Sequence, residues 1–183
     1  MSADYSDKGI RTKAIHAGED RHSGTPSSAP DIVMSSTFHV DREVSFSATN
    51  IDSDAPYVYT RWANPTIDQL EDKLATLERA EACIAFASGM AATTGVLLGN
   101  LSSGDHLIIC DTNYPGTAEV ARHTLPRFGI EVSPVDTADP ANVSDALREN
   151  TRMIWLETPS NPLLNIADIS TIAEIAASGN DCP

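Results

Sequence analysis

Four polar clusters in this sequence hold residue types that do chemistry once a fold brings them together. Residues 86–95 read FASGMAATTG, a short apolar lead into Ser88-Gly89-Met90 and then a row of small residues. The first amides of a helix lack intrahelical partners and lie at the positive end of its dipole, so Ser88, Gly89 and Met90 suit an anion. No Gly-Lys-Ser/Thr follows and no G-x-G-x-x-G is present, so neither nucleotide fingerprint fits. The ordinary alternative is a tight β–α turn in which Ser-Gly serves close packing.

The second cluster is Tyr57-Val58-Tyr59-Thr60-Arg61, ahead of Asn64-Pro65-Thr66. Residues two apart in an extended segment share a side, so the Tyr59 phenol and the Arg61 guanidinium can grip one phosphate. A surface Arg beside a packed Tyr is the plain alternative. The third is Asp111-Thr112-Asn113-Tyr114-Pro115-Gly116-Thr117, where Tyr114 can stack on a flat ligand or pack in a loop. The fourth is Leu156-Glu157-Thr158-Pro159-Ser160-Asn161-Pro162. Its prolines fix the backbone, and Glu157 and Asn161 then face one crevice or stand in a solvated loop.

The elements that must position these clusters are legible further along. From residue 82 apolar strand candidates alternate with helix candidates: strands at 83–86, 106–110, 130–132 and 153–156, and helices at 89–100, 116–127, 142–149 and 168–177. That alternation predicts an α/β fold with a mostly parallel sheet covered on both faces, which binds ligands at the carboxyl ends of its strands. Upstream, Asn64 and Pro65 form a helix start, and Ile67, Leu70, Leu74 and Leu77 follow at helical spacing. The first 56 residues are weakly patterned, with one short helix expected at 8–17 and loop formers over 45–56. They read as an arm of the kind that lies over another subunit.

With 183 residues and 41% apolar content, the chain is long enough for a real core. Its net charge of −14 disfavours nucleic acid and anionic membranes, and favours a soluble protein handling small molecules. No window has the roughly 18 to 20 apolar residues of a membrane helix. The polar N-terminus lacks the apolar stretch of a secretory signal. Cys83, Cys110 and Cys182 form no metal-binding pattern, so no metal is expected, and a reducing cytoplasm is the expected location.

In order, the clusters read Y-x-R-x-x-N-P-T, F-x-S-G-M-A-A, Y-x-G-T and E-T-P-x-N-P. From His16-Ala17-Gly18 to the last residue, the chain resembles the pyridoxal-phosphate enzymes of cysteine and methionine metabolism. These comprise cystathionine γ-synthases, cystathionine lyases, methionine γ-lyases and acylhomoserine sulfhydrylases. The resemblance implies the front half of an aspartate-aminotransferase-like large domain (fold type I), residues 63–183, behind an N-terminal arm, residues 1–62. It implies pyridoxal 5′-phosphate as cofactor and an amino-acid substrate such as cystathionine or an O-acylhomoserine. γ-Elimination or γ-replacement follows as the reaction, and a homodimer or tetramer as the assembly.

Carried over by position, Tyr59 and Arg61 reach the cofactor phosphate of a neighbouring subunit, while Ser88, Gly89 and Met90 hold the phosphate of their own. Tyr114 stacks on the ring and is a candidate acid/base. Glu157 and Asn161 line the ring edge near its hydroxyl. Position 115 is Pro where the family usually has Gly. Position 116 is Gly where methionine γ-lyases carry Cys, so the cystathionine γ-synthase or γ-lyase group is the first expectation. Methionine γ-lyase and acylhomoserine sulfhydrylase are the alternatives.

The family's Schiff-base lysine and the aspartate that pairs the ring nitrogen fall beyond residue 183 in this correspondence. Lys8, Lys13 and Lys73 are the only lysines, two in the arm and one on the amphipathic helix. The expectation is therefore that these 183 residues alone are inactive, and that a sheet ending here leaves apolar surface uncovered. A rival expectation from another class is a non-catalytic chain that pairs with a full-length homologue through its arm.

Overall fold

The computed structural model describes residues 5–19, 29–40 and 57–178. They fall into two compact units, Met1–Ala85 and Phe86–Pro183. The loop-forming stretch over 45–56 and Cys182 lie outside the described residues.

In the first unit, α1 (Ile10–His16) packs on α2 (Pro65–Glu78). Both fall where the sequence predicts them. Gly18, at φ +79°, lets the chain turn against α2: a Cβ there would lie 2.6 Å from the Gln69 carbonyl oxygen. Asn64 caps α2 through its side-chain oxygen, which accepts from Thr66 N at 2.8 Å. Its amide also donates to Val33 O at 3.1 Å and to Thr60 Oγ1 at 2.9 Å. The Val33 amide in turn donates to Thr66 Oγ1. Thus one buried Asn ties the segment before residue 40 to the helix, and a Thr37–Tyr59 antiparallel bridge continues the seam. The predicted apolar face of α2 differs in its setting: Ile67, Leu70 and Leu74 are 39–46% exposed, while Pro65, Gln69 and Ala75 are buried.

The second unit is built on a three-stranded parallel sheet of order β2-β1-β3, with β1 (His106–Cys110) between β2 (Glu131–Val135) and β3 (Thr151–Trp155). All five residues of β1 are buried. Alternation sends Leu107 and Ile109 into one cluster with Leu97, Leu125 and Met153, and Ile108 into another with Val143, Ala167 and Ile172. A central parallel strand covered on both faces is apolar except where a buried polar group finds partners, as His106 does at its start. Pro134 is tolerated because β2 pairs on one side only.

The helices are α3 (Gly89–Asn100), α4 (Pro115–Glu119), α5 (Pro140–Asp145) and α6 (Ile169–Ser178). The helix predicted over 116–127 is broken into three: α4, a π-helical turn at Val120–Thr124 and a 3₁₀ turn at Leu125–Phe128. Pro126 explains the break, since it has no N–H to offer the Arg122 carbonyl. The ladder widens instead, with Leu125 N donating to Val120 O. The strand predicted at 83–86 is also corrected. No strand pairs with Cys83-Ile84-Ala85-Phe86 among the described residues, and Ile84 is 75% exposed. The Ala85 amide donates instead to Glu71 Oε1 at 2.7 Å. Apolar character alone does not make a strand; a neighbour with free backbone groups does. Leu163, Leu164, Ile166 and Ile169 likewise remain exposed.

At the amino ends of the strands a polar network joins all three. His106, fully buried, places Nδ1 2.8 Å from Thr151 Oγ1 and Nε2 2.9 Å from Ser133 Oγ. Arg148 donates to Ser133 Oγ, to Glu131 Oε2 and, through its backbone, to Thr151 Oγ1. Burial lowers the His106 pKa below the usual value; the Arg148 charge lowers it further and Glu131 opposes both.

Candidate functional site

Three of the four clusters, those around Ser88, Tyr114 and Glu157, belong to the second unit, and the last two follow the carboxyl ends of β1 and β3. Ser88 caps α3, accepting the Ala91 amide on its hydroxyl at 3.1 Å. That leaves Gly89 and Met90 as the helix residues ahead of the capped amide. The small residues behind them have a packing reason as well. A Cβ on Gly95 would lie 2.9 Å from Phe86 Cζ, so the ring of the residue before the turn rests against the bare helix. The close-packing reading of FASGMAATTG is therefore realised at Gly95.

Tyr114 follows β1 and precedes Pro115, the first residue of α4. The loop between them is pinned by Asn113, whose amide donates to Cys110 O at 2.5 Å. The Tyr114 ring lies over Gly116: a Cβ there would meet Tyr114 Cε1 at 2.6 Å and Met90 Sδ at 2.8 Å. Glycine at 116 thus leaves room for the ring beside Met90. Burial raises the Cys110 thiol pKa, while hydrogen bonds from the Glu157 backbone and the Asn113 side chain pull it back.

Glu157 stands just beyond β3. Its Oε2 accepts the Tyr114 amide at 2.8 Å and its Oε1 accepts the Asn161 amide at 3.0 Å. The loop carries cis peptide bonds at Thr158-Pro159 and Asn161-Pro162. Buried Ser160 closes it, donating its amide to Asn165 O and accepting the Asn165 amide on Oγ.

Of the sequence-predicted residues, Ser88, Gly89, Met90, Tyr114 and Glu157 line one cleft of about 440 Å³. Asn161 lines a different cleft, with Asp111, Asn113 and Arg122, so it and Glu157 do not share the one crevice expected from the sequence. Tyr59 and Arg61 belong to the first unit and form a pair there: Arg61 Nη2 donates to Tyr59 OH at 2.9 Å, with the guanidinium 5.2 Å from the ring centre. The shared side expected from their spacing is therefore realised. Thr93, Thr117, Trp155 and Leu156 also line the main cleft and escaped the sequence reading. Thr93 is four residues past Gly89 and Thr117 three past Tyr114, so helical spacing was the available signal. A larger cleft of about 610 Å³, walled by Ile109, Ala121, Pro126, Ile130 and Val132, contains none of the predicted residues.

The cleft fits the cofactor that the resemblance implies. Helix-start amides and a capping hydroxyl suit a phosphate, and the space beside Gly89 is open, with nothing within 4 Å of a Cβ built there. The Tyr114 and Trp155 rings offer flat apolar surface. The three lysines are all in the first unit and all engaged there. Lys8 pairs with Asp7, Lys13 donates to Ser6 O, and Lys73 donates to Ile15 O at 2.8 Å and to Glu19.

Comparison with known proteins agrees on one family. The sequence pattern of the family described as Cys/Met metabolism PLP-dependent enzyme matches residues 11–182. The chain is 38% identical over 172 residues to an L-methionine gamma-lyase of Treponema denticola, covering 94% of this chain and 43% of that protein. It is 39% identical over 170 residues to a probable cystathionine gamma-synthase of Herpetosiphon aurantiacus, covering 93% and 50%. The crystal structure of metB from Corynebacterium glutamicum superposes with a TM-score of 0.86 at 36% identity, covering 97% of this chain and 44% of that one. The chain thus spans half the length of these relatives or less. With a match running through nearly all of its sequence, the chain belongs to the Cys/Met metabolism PLP-dependent enzyme family.

Proposed function

We propose that these residues form the phosphate- and ring-holding part of a transsulfuration enzyme acting by γ-elimination or γ-replacement on cystathionine or an O-acylhomoserine. The convergence of Ser88, Gly89, Met90, Tyr114 and Glu157 on one cleft carries this reading. Pyridoxal phosphate, when bound, supplies an electron sink for a carbanion at the substrate Cα. Ser88 and the amides of Gly89 and Met90 hold the phosphate, Tyr114 provides a stacking face and a phenol that can hold a proton, and Asn161 serves the ring edge. In this reading residues 1–62 are an arm and 63–183 the first half of the cofactor-binding domain. Arg61 with Tyr59 clamps the phosphate of a second subunit in a cytoplasmic homo-oligomer. None of the three lysines has the setting of a cofactor-bearing base, so the 183 residues by themselves bind cofactor without turnover.

The test uses the 183-residue chain with Trp62→Phe, leaving Trp155 as the reporter in the cleft. Pyridoxal phosphate is expected to quench it saturably. Gly89→Ala, entering open space, keeps binding near wild type. Gly89→Asp puts a carboxylate among the amides, and like-charge repulsion weakens binding at least about tenfold. Equal binding by all three chains refutes the cradle. Borohydride reduction is expected to leave no adduct at a single lysine; such an adduct, with cystathionine turnover, overturns the inactive reading.

Substrate class rests on Gly116, which the Tyr114 ring covers; the methionine γ-lyase alternative is favoured by the relatives that carry that name. A pairing role is the second reading, favoured by the exposed Ile67, Leu70 and Leu74 of α2. Mixing with a full-length homologue and sizing the product tests it, and no shift at micromolar concentration refutes it.

A further inference from the structure

We infer that Glu157 is a positioning residue, whose carboxylate ties the loop bearing Tyr114 to the loop bearing Asn161 and so fixes where the Tyr114 ring stands. The inference rests on the proposed reading of the cleft. The two loops follow β1 and β3, which are neighbours in the sheet. One carboxylate oxygen accepts the Tyr114 amide at 2.8 Å and the other accepts the Asn161 amide at 3.0 Å. An ionised carboxylate is an acceptor on both oxygens, so it matches two N–H groups with no donor left over. Its charge is directed at the backbone of both loops, beside the residue proposed to stack on the ring.

Tyr114 is then held from two directions. Glu157 holds its backbone, and the hollow at Gly116 receives its ring beside Met90. Neither contact involves Ser88, which caps α3, or Gly89, its first residue; Met90 offers the ring its side chain and the cradle only its backbone amide. The phosphate cradle and the stacking face are therefore separable, and Glu157 governs only the second. The carboxylate cannot be replaced by an amide without loss. Glutamine offers one acceptor oxygen and turns an NH₂ group toward the other N–H. Aspartate is one methylene shorter and cannot span both loops.

The experiment compares wild type, Glu157→Gln and Glu157→Ala in the 183-residue chain. Amide hydrogen exchange is read by NMR, and Kd is measured for pyridoxal phosphate and for inorganic phosphate separately. Urea midpoints report whether each variant is folded. Protection at the Tyr114 and Asn161 amides is expected to fall together in Glu157→Ala, and Glu157→Gln is expected to retain one of the two. Freeing one aromatic side chain that the bound state must re-order weakens pyridoxal phosphate binding up to about tenfold in Glu157→Ala. Inorganic phosphate binding is not weakened, because the cradle is intact and the lost carboxylate no longer repels the anion. A general loss of structure would lower both affinities alike and overturn the proposal. Unchanged protection at both amides in a folded Glu157→Ala or Glu157→Gln chain also overturns it. If wild type binds neither probe, the reading of the cleft fails, while the exchange data still decide the role of the carboxylate.

Discussion

His106 offers a perturbation whose effect on stability has a worked sign. The imidazole is fully buried and bridges Thr151 and Ser133, and its pKa is lowered by burial first and by Arg148 second. In the unfolded chain the same histidine titrates near 6.5. Between that value and its lowered folded value, the unfolded state binds more protons, so stability rises with pH and is lost as pH falls below about 6.5. One proton's difference limits the slope to about 1.4 kcal/mol per pH unit. His106→Gln keeps hydrogen-bonding atoms near both hydroxyls but does not titrate. Losing one buried hydrogen bond and some packing costs about 1–3 kcal/mol at pH 7.5. The variant should nonetheless lack the added slope.

The assay is urea unfolding of both chains from pH 7.5 to 5, compared as a difference so that the groups common to both chains cancel. Two further variants test the causes. Arg148→Gln removes the guanidinium and narrows the pH window, whereas Glu131→Gln removes the opposing charge and extends it to lower pH. Equal slopes for wild type and His106→Gln would refute the reasoning. So would a wild type that gains stability on acidification, because that requires an imidazolium held by Glu131.

Two other substitutions probe the scaffold. Asn64→Ala removes the cap of α2 and the bonds to Val33 and Thr60, and should cost about 1–3 kcal/mol; faster hydrogen exchange at Thr66 localises the effect, and unchanged exchange argues against it. Gly129→Ala forces a side chain into a φ of +74° and against Ser103 Oγ. A loss of about 1–3 kcal/mol in urea is expected, with little change in pyridoxal phosphate affinity.

Much of the second unit was legible because its signals are local. Ser88 followed by Gly89 marks a helix start, and α3 begins at Gly89 as the sequence predicts. The run His106-Leu107-Ile108-Ile109-Cys110 reads as a buried strand whatever its neighbours, and it is the central one. The broken helix after Tyr114 was less legible. Pro126 was visible, but whether a proline ends a helix or shifts its ladder depends on packing around the preceding carbonyls. Residues 83–86 mark the opposite failure, since their apolar run satisfied a strand pattern with no strand beside it.

The sequence by itself determined which chemical groups are available: a helix start at Ser88-Gly89, a tyrosine at a strand end, a Tyr–Arg pair and a carboxylate in a proline-rich loop. Side-chain chemistry and local backbone preference are carried by neighbouring residues, so motif spacing suffices to find them. Only the tertiary structure decided what Glu157 touches. Asn161 lies four residues along the same loop, but Tyr114, 43 residues away in sequence, meets it because β1 and β3 pair in parallel and bring their two loops within hydrogen-bond reach. The same is true of Gly116, whose missing side chain matters only once Met90 and the Tyr114 ring converge on it. A contact of that kind depends on strand order and register, which no short stretch of sequence contains.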